Sequence, residues 1–197
     1  MNIIIAGCGK VGRALAEQLS KEKHDITVID LKPESIQLVT NAADVRGVVG
    51  NGASYDIQMD AGVDKADLMI AVTNADEVNL LCCLIAKKAG GCQTIARVRN
   101  PVYHHEIHHI KDELGLSMVI NPEWAAAMEM ARLLRFPSAI DIDTFANGRI
   151  ELLRFQLDDK NPLCGHKIRD LDTLSKCEVL VCIVERGNEV RIPGGEF

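Results

Sequence analysis

Two short stretches hold residue types at spacings that do chemistry. In YHHEIHHI, residues 103–110, His105, Glu106 and His109 form an H-E-x-x-H pattern. On a helix such a pair of histidines holds zinc while the glutamate activates a water for peptide hydrolysis. In GCGKVG, Gly7, Gly9 and Gly12 form a G-x-G-x-x-G pattern directly after the apolar run NIIIA. There the first glycine permits a tight turn, the second lets a pyrophosphate approach the backbone, and the third lets helix and strand pack closely. The helix that follows points its unpaired N–H groups at the anion.

The zinc reading does not survive a helical projection. At 100° per residue Tyr103, Ile107, Ile110 and Leu114 share one stripe, while His105, His109 and Asp112 lie opposite. The histidines therefore face away from the local core, on a short helix opened by Pro101 and bounded by Gly115. Spacing alone does not exclude Glu129 as the third ligand, but it belongs to the helix after another parallel strand. We read the pattern as a coincidence of composition on a solvated or partner-facing surface, and expect no metal site.

The glycine turn is better supported by its surroundings. Asp30 ends the next apolar strand, eighteen residues after Gly12. A carboxylate there accepts hydrogen bonds from adenosine ribose hydroxyls and repels a 2'-phosphate, which favours NAD or an adenine nucleotide over NADP. Lys10 and Arg13 stand in the first helical turn, where the helix dipole prefers acidic groups, an arrangement that suits a bound phosphate. Asn51, Thr73, Asn74 and Arg97 follow later strands and fall on the same carboxyl edge, where open α/β sheets collect ligands. Thr73 and Asn74 are equally suited to capping a helix.

The elements that position these residues alternate along the chain. NIIIA, DITVID, DVRGVV, DLMIAV, QTIARV and SMVI are short β-branched runs. Between them lie helical patterns at Val11–Leu19, Pro33–Thr40, Ser54–Ala61, Asp76–Lys88 and Val102–Leu114, and another opens near Pro122. Six strands, apolar on both faces and separated by helices, predict an α/β fold: a Rossmann-like, doubly wound parallel sheet. From about Ala139 the texture changes to AIDIDTF, a turn at Asn147 and Gly148, and RIELLRFQL, which together read as a hairpin. A short helix near Ile168–Leu174, a strand EVLVCIV, a turn at Gly187 and Asn188, and EVRIP follow. This tail is near the size at which a lone core becomes marginal, and the chain stops at PGGEF as an incomplete module would.

Composition removes other classes. Of 197 residues 47% are hydrophobic and 25% charged, so the chain collapses rather than remaining disordered. A formal charge of -6 disfavours a nucleic-acid partner. The seven cysteines have neither disulfide-framework nor paired zinc spacing, and are expected to be reduced and mostly buried in a cytosolic protein. MNIIIAGCGK has no basic leader, and no run approaches the ~18 apolar residues of a membrane span. There is no Tyr-x-x-x-Lys pair and no Ser/His/Asp constellation. A nucleotide site without catalytic groups points to a sensor.

GCGKVG, DLKPE, GNGAS, VTNADEVNLLCCLIAKK, IARVRNP and INPEWAAAMEMARLLRFPSA together resemble the TrkA family of bacterial potassium-uptake regulators. The likeness covers the whole chain. It implies a nucleotide-binding RCK (KTN) domain over residues 1–137 and the start of the RCK C-terminal subdomain, a small and truncated α+β unit, over 138–197. It further implies binding of NAD(H) and of ATP or ADP as regulatory ligands, without enzymatic activity. Assembly into dimers and tetrameric or octameric rings, and attachment to a TrkH-type potassium-translocating membrane protein at the cytoplasmic side of the inner membrane, are also implied. By motif, Gly7, Gly9, Lys10, Val11 and Gly12 would face the phosphates, Asp30 the ribose, and Asn51 and Gly52 the adenosine. Thr73, Asn74 and Glu77 would face the distal half of a dinucleotide, and the third phosphate of ATP would recruit Lys10, Arg13 or Arg97. Lys10 stands where related domains often have arginine, and Asn51 where they more often have aspartate. Glu123 matches a cation or phosphate position of some relatives, although at a helix N-terminus it also complements the dipole. The chemical alternative is an NAD-dependent oxidoreductase fragment without its substrate domain.

Overall fold

Strand β1 (Asn2–Ala6) is buried along four of its five residues and occupies the middle of a six-stranded parallel sheet. Its neighbours are β2 (Asp25–Asp30), β3 (Arg46–Val49), β4 (Leu68–Ala71), β5 (Gln93–Arg97) and β6 (Met118–Ile120), in the order β3-β2-β1-β4-β5-β6. The computed structural model describes residues 1–146, 149–171, 173 and 179–194, with the backbone alone for 104, 105, 108 and 110. By internal contacts the chain divides into two units, Met1–Glu129 and Met130–Phe197.

In the first unit the strands alternate with α1 (Lys10–Lys21), α2 (Pro33–Ala42), α3 (Tyr55–Asp60), α4 (Asp76–Gly90), α5 (Pro101–Ile110) and the start of α6 (Pro122–Arg135). Period-two alternation along β1 feeds two cores. Ile3 and Ile5 pack with Ala16 of α1 and Ile36 and Val39 of α2. Ile4 and Ala6 pack with Cys82, Cys83 and Ala86 of α4 and Ile107 of α5. This two-faced burial makes the fold Rossmann-like and doubly wound, as the apolar runs predict. Edge strand β3 departs from the expectation of strands apolar on both faces: Arg46, Gly47 and Val49 are exposed, since a sheet edge has a neighbour on one side alone.

Local chemistry sets the helix limits. Pro33 and Pro101 open α2 and α5, and the Asn100 side chain accepts the Val102 N–H at 3.0 Å. Helix α4 carries Asp76 and Glu77 in its first turn and Lys87 and Lys88 in its last, and stops at Gly91 with φ +68°. Helix α5 ends at Ile110, short of the expected Leu114, because the chain turns through Gly115 at φ +65°. Ile107 is buried as the projection requires, and Glu106 and His109 are exposed; the side chain of His105 lies outside the described residues. No described helix is long and apolar enough to cross a membrane.

The second unit contains β7 (Ala139–Phe145) paired antiparallel with β8 (Ile150–Phe155), and β9 (Val184–Arg186) with β10 (Glu189–Arg191). The predicted turn at Asn147 and Gly148 lies outside the described residues. One expectation is corrected. The run EVLVCIV is no strand across its described residues 179–183; pairing starts only at Val184. Leu180 in that stretch is 87% exposed. Cys8, Cys82, Cys83 and Cys92 are buried, whereas Cys164 and Cys182 are exposed, so four of the six described cysteines are buried. In the predicted helix near Ile168–Leu174, a 3-10 turn at Ile168–Asp170 is followed by helical Leu171 and Thr173, with residues 172 and 174 outside the description.

Candidate functional site

The carboxyl ends of β1 and β4 meet where the strand order reverses direction, the position at which doubly wound sheets open a crevice. Two of the three glycines of the turn make this meeting possible, each for a different reason. Gly7 has φ +103°, and a Cβ there would sit 2.8 Å from the Thr73 nitrogen, so β1 turns directly against the end of β4. A Cβ on Gly12 would lie 1.8 Å from the Gly7 carbonyl oxygen, which locks α1 onto the turn. Gly9 is different: its φ is -69°, and a Cβ there would meet nothing within 4 Å. Neither strain nor packing calls for glycine at this position.

Gly9 is also the N-cap of α1, has no side chain to offer the helix, and is followed by no acidic residue in the first turn. The leading N–H groups of Lys10, Val11 and Gly12 thus point outward from a positive helix end. Lys10 is exposed beside them, whereas Arg13 lies 3.7 Å from Glu17 one turn along.

Asp30 holds the other wall. One carboxylate oxygen accepts the Cys8 N–H at 2.7 Å and the other the Lys32 N–H at 2.9 Å. A carboxylate offers about four lone-pair sites, so both oxygens retain capacity for hydroxyl donors. Asp30 therefore fixes the glycine turn as well as facing the crevice, a role its spacing did not reveal. Burial, and secondarily the Asp30 charge, push the Cys8 thiol up to about 12, so it stays protonated.

After β3, Asn51 accepts the Ala53 N–H at 3.0 Å, and its side-chain oxygen is engaged in its own turn. Gly52 is buried; a Cβ there would lie 3.0 Å from Ala6 Cβ and 3.2 Å from Cys82 Sγ. Gln58, fully buried on α3, donates to the Gly52 carbonyl at 2.7 Å and the Cys82 carbonyl at 2.9 Å, and its Oε1 has no partner. After β4, Thr73 is held by Asn79 of α4, and exposed Asn74 gives its carbonyl to Arg99. Asp76, 7% exposed, accepts the backbone N–H groups of Arg99 and Asn100 at 2.8 Å each.

Two predicted site residues are turned to other partners. Arg97, at the end of β5, makes a 2.5 Å ion pair with Glu123 at the start of α6, and its Nε is buried without a partner. Glu123 thus bridges to Arg97 in addition to its place at the helix N-terminus. Glu77 accepts the Tyr103 hydroxyl at 2.7 Å, which holds its carboxyl below the ordinary value. Any stability this provides is present above the ordinary carboxyl pKa and fades as pH falls through the lowered value. Tyr103→Phe should move the Glu77 titration, followed by carboxyl NMR, upward toward the ordinary value; an unmoved titration would show that the hydroxyl does not bond there.

Gly7, Gly9, Gly12, Asp30 and Thr73 are therefore gathered into one cradle, with Asn51, Gly52 and Asn74 on the same carboxyl edge. Sequence reasoning missed Asn79, Gln58 and Asp76. Their one signal was burial among apolar neighbours, as in EVNLL, a pattern that surface helices share.

A family model, the TrkA-N domain, matches residues 3–122. The chain belongs to the TrkA-N family. The TrkA-N match covers the whole glycine turn, Asp30, and the strand ends just described. Among curated relatives, the Trk system potassium uptake protein TrkA homolog of Archaeoglobus fulgidus is 37% identical over 196 residues, all of this chain and 44% of that protein. The chain thus spans about half the length of the curated relatives it matches. Among solved structures, the TrkA-N domain of inner membrane protein ybaL from Escherichia coli superposes with TM-score 0.60 at 25% identity, over 68% of this chain and 96% of that one. The GsuK channel bound to NAD superposes with TM-score 0.57 at 18% identity, over all of this chain and 35% of that one, and shares the fold.

Proposed function

We propose that this chain is the nucleotide-sensing part of a potassium-uptake regulator, and that it binds NAD(H) and ATP or ADP at the crevice between β1 and β4. The observation that carries the reading is Gly9. Its glycine is unexplained by backbone or packing, yet it stands where a pyrophosphate would touch the chain, at the uncapped end of α1. Gly7, Gly9, Lys10, Val11 and Gly12 would hold the phosphates, Asp30 the ribose, and Asn51 and Gly52 the adenosine. Thr73, Asn74 and Glu77 would face the distal half. The set binds and orients but offers no proton-transfer or nucleophilic group aimed at a substrate, so the role is regulatory rather than enzymatic.

In this reading residues 1–137 form the nucleotide domain and 138–197 the start of a C-terminal subdomain. Helix α6 leaves Trp124, Met128, Met130, Leu133 and Leu134 exposed, and none of its residues is buried. An apolar surface of this kind suits assembly: a second copy covers it, in dimers that build rings. The assembly sits at the cytoplasmic side of the inner membrane on a TrkH-type potassium-translocating protein. A ligand drives that partner only by binding one ring geometry more tightly than another. The third phosphate of ATP draws on Lys10, whereas Arg13 and Arg97 reach it only by leaving Glu17 and Glu123.

The test is calorimetry of NADH, NAD, ATP and ADP with the wild-type chain and Asp30→Ala. Asp30→Ala should remain folded but lose at least about tenfold in affinity, because the ribose acceptors and the Cys8 anchor disappear together. A folded wild-type chain that binds none of the four ends the proposal.

A further inference from the structure

The ladder between β4 and β5 ends at the pair Ala71 and Ala96. Beyond it neither the Thr73 N–H nor the Arg97 carbonyl has a partner in the other strand. Asn79, fully buried on α4, supplies the missing rung. Its Oδ1 accepts the Thr73 N–H and the Thr73 hydroxyl, both at 2.7 Å. Its Nδ2 donates to the Arg97 carbonyl at 2.8 Å and the Thr73 carbonyl at 3.3 Å. Only a side-chain amide presents an acceptor and a two-proton donor at one position in this way. Aspartate would aim lone pairs at two carbonyls, and an aliphatic residue would leave all four groups without this partner.

The opposite half of the crevice is held by other means. Asp30 fixes the glycine turn through Cys8, and Gln58 ties Gly52 to α4. No hydrogen bond of Asn79 reaches Asp30, Asn51 or Gly52. We infer that Asn79 is a positioning residue for the distal half of the site, so that a dinucleotide depends on a rung that a mononucleotide does not touch. The inference rests on the nucleotide reading above: an adenosine monophosphate spans the wall held by Asp30 and Gln58, whereas NAD must also lie against the Thr73–Asn74 turn.

Calorimetry of NAD and AMP on the wild-type chain, Asn79→Asp and Thr94→Val tests it. Thr94 is fully buried and donates to the Gly115 carbonyl at 3.1 Å, but lies toward the amino end of β5. It reports what a mere loss of a buried hydrogen bond does. Asn79→Asp should weaken NAD by about tenfold or more and AMP by less than about twofold, the size expected when hydrogen bonds are lost on one wall. Thr94→Val should leave the ratio of the two affinities unchanged. If Asn79→Asp does not fold, Asn79→Ala is read by the same ratio. A wild-type chain that binds both ligands, with an unchanged NAD-to-AMP ratio in the Asn79 variant, overturns this inference and leaves the nucleotide reading standing. A wild-type chain that binds neither overturns both.

Discussion

Gly12→Ala is expected to lower folding stability by about 3 kcal/mol, at the upper end of what overpacking a tight site does. The new methyl carbon would sit 1.8 Å from the Gly7 carbonyl oxygen and 3.3 Å from Val72 Cγ2. The oxygen belongs to backbone held in a turn at φ +103°, so it has no rotamer by which to withdraw. Alanine's better helix propensity returns only about 1 kcal/mol. Relief therefore requires α1 to back away from β1, which loosens Ala16 against Ile3 and Ile5. Urea unfolding should show a lower midpoint with an unchanged slope. A loss below about 1 kcal/mol would mean that α1 is free to shift and that the packing argument fails.

Gly9→Ala should do the reverse. A Cβ there touches nothing and the backbone is in an ordinary region, so stability should change by no more than about 0.5 kcal/mol, an N-cap difference. Nucleotide affinity should nonetheless fall by about a hundredfold, because the methyl occupies the approach to the leading N–H groups of α1 and forfeits one or two charge-assisted hydrogen bonds. Melting and calorimetry on the same sample separate the two effects. Retained affinity in a fully folded Gly9→Ala protein would remove the observation on which the proposed function depends.

The contrast between these two glycines shows what the sequence can and cannot disclose. G-x-G-x-x-G after an apolar strand places the turn, the helix and the crevice, because strand period, glycine spacing and strand-helix alternation are local signals that agree. Which glycine serves the fold and which serves a ligand is not local. It depends on Thr73 and on the Gly7 oxygen. The Arg97–Glu123 pair, separated by 26 residues, and the Asn79 rung are invisible for the same reason: each is a polar residue whose partner arrives through tertiary structure. EVLVCIV errs in the other direction. Its intrinsic preference for strand is real, but a strand exists only where another pairs with it, and the ladder with β10 begins only at Val184.

The position of β1 between β2 and β4 bears on the order in which the protein assembles. Pairing β1 with β2 closes a short stretch of chain, since Asn2 aligns with Asp25; pairing it with β4 joins Ile3 to Leu68 across a much longer one. Loop closure makes the second event the slower. Because Gly7 abuts Thr73, the nucleotide cradle comes into existence only at that late step. A half-folded chain holding β1, α1 and β2 presents Asp30 and the glycine turn without the wall that completes them. Under the proposed function, nucleotide would then act on finished molecules alone, slowing their unfolding and drawing the population toward them by mass action, without guiding the chain on its way there.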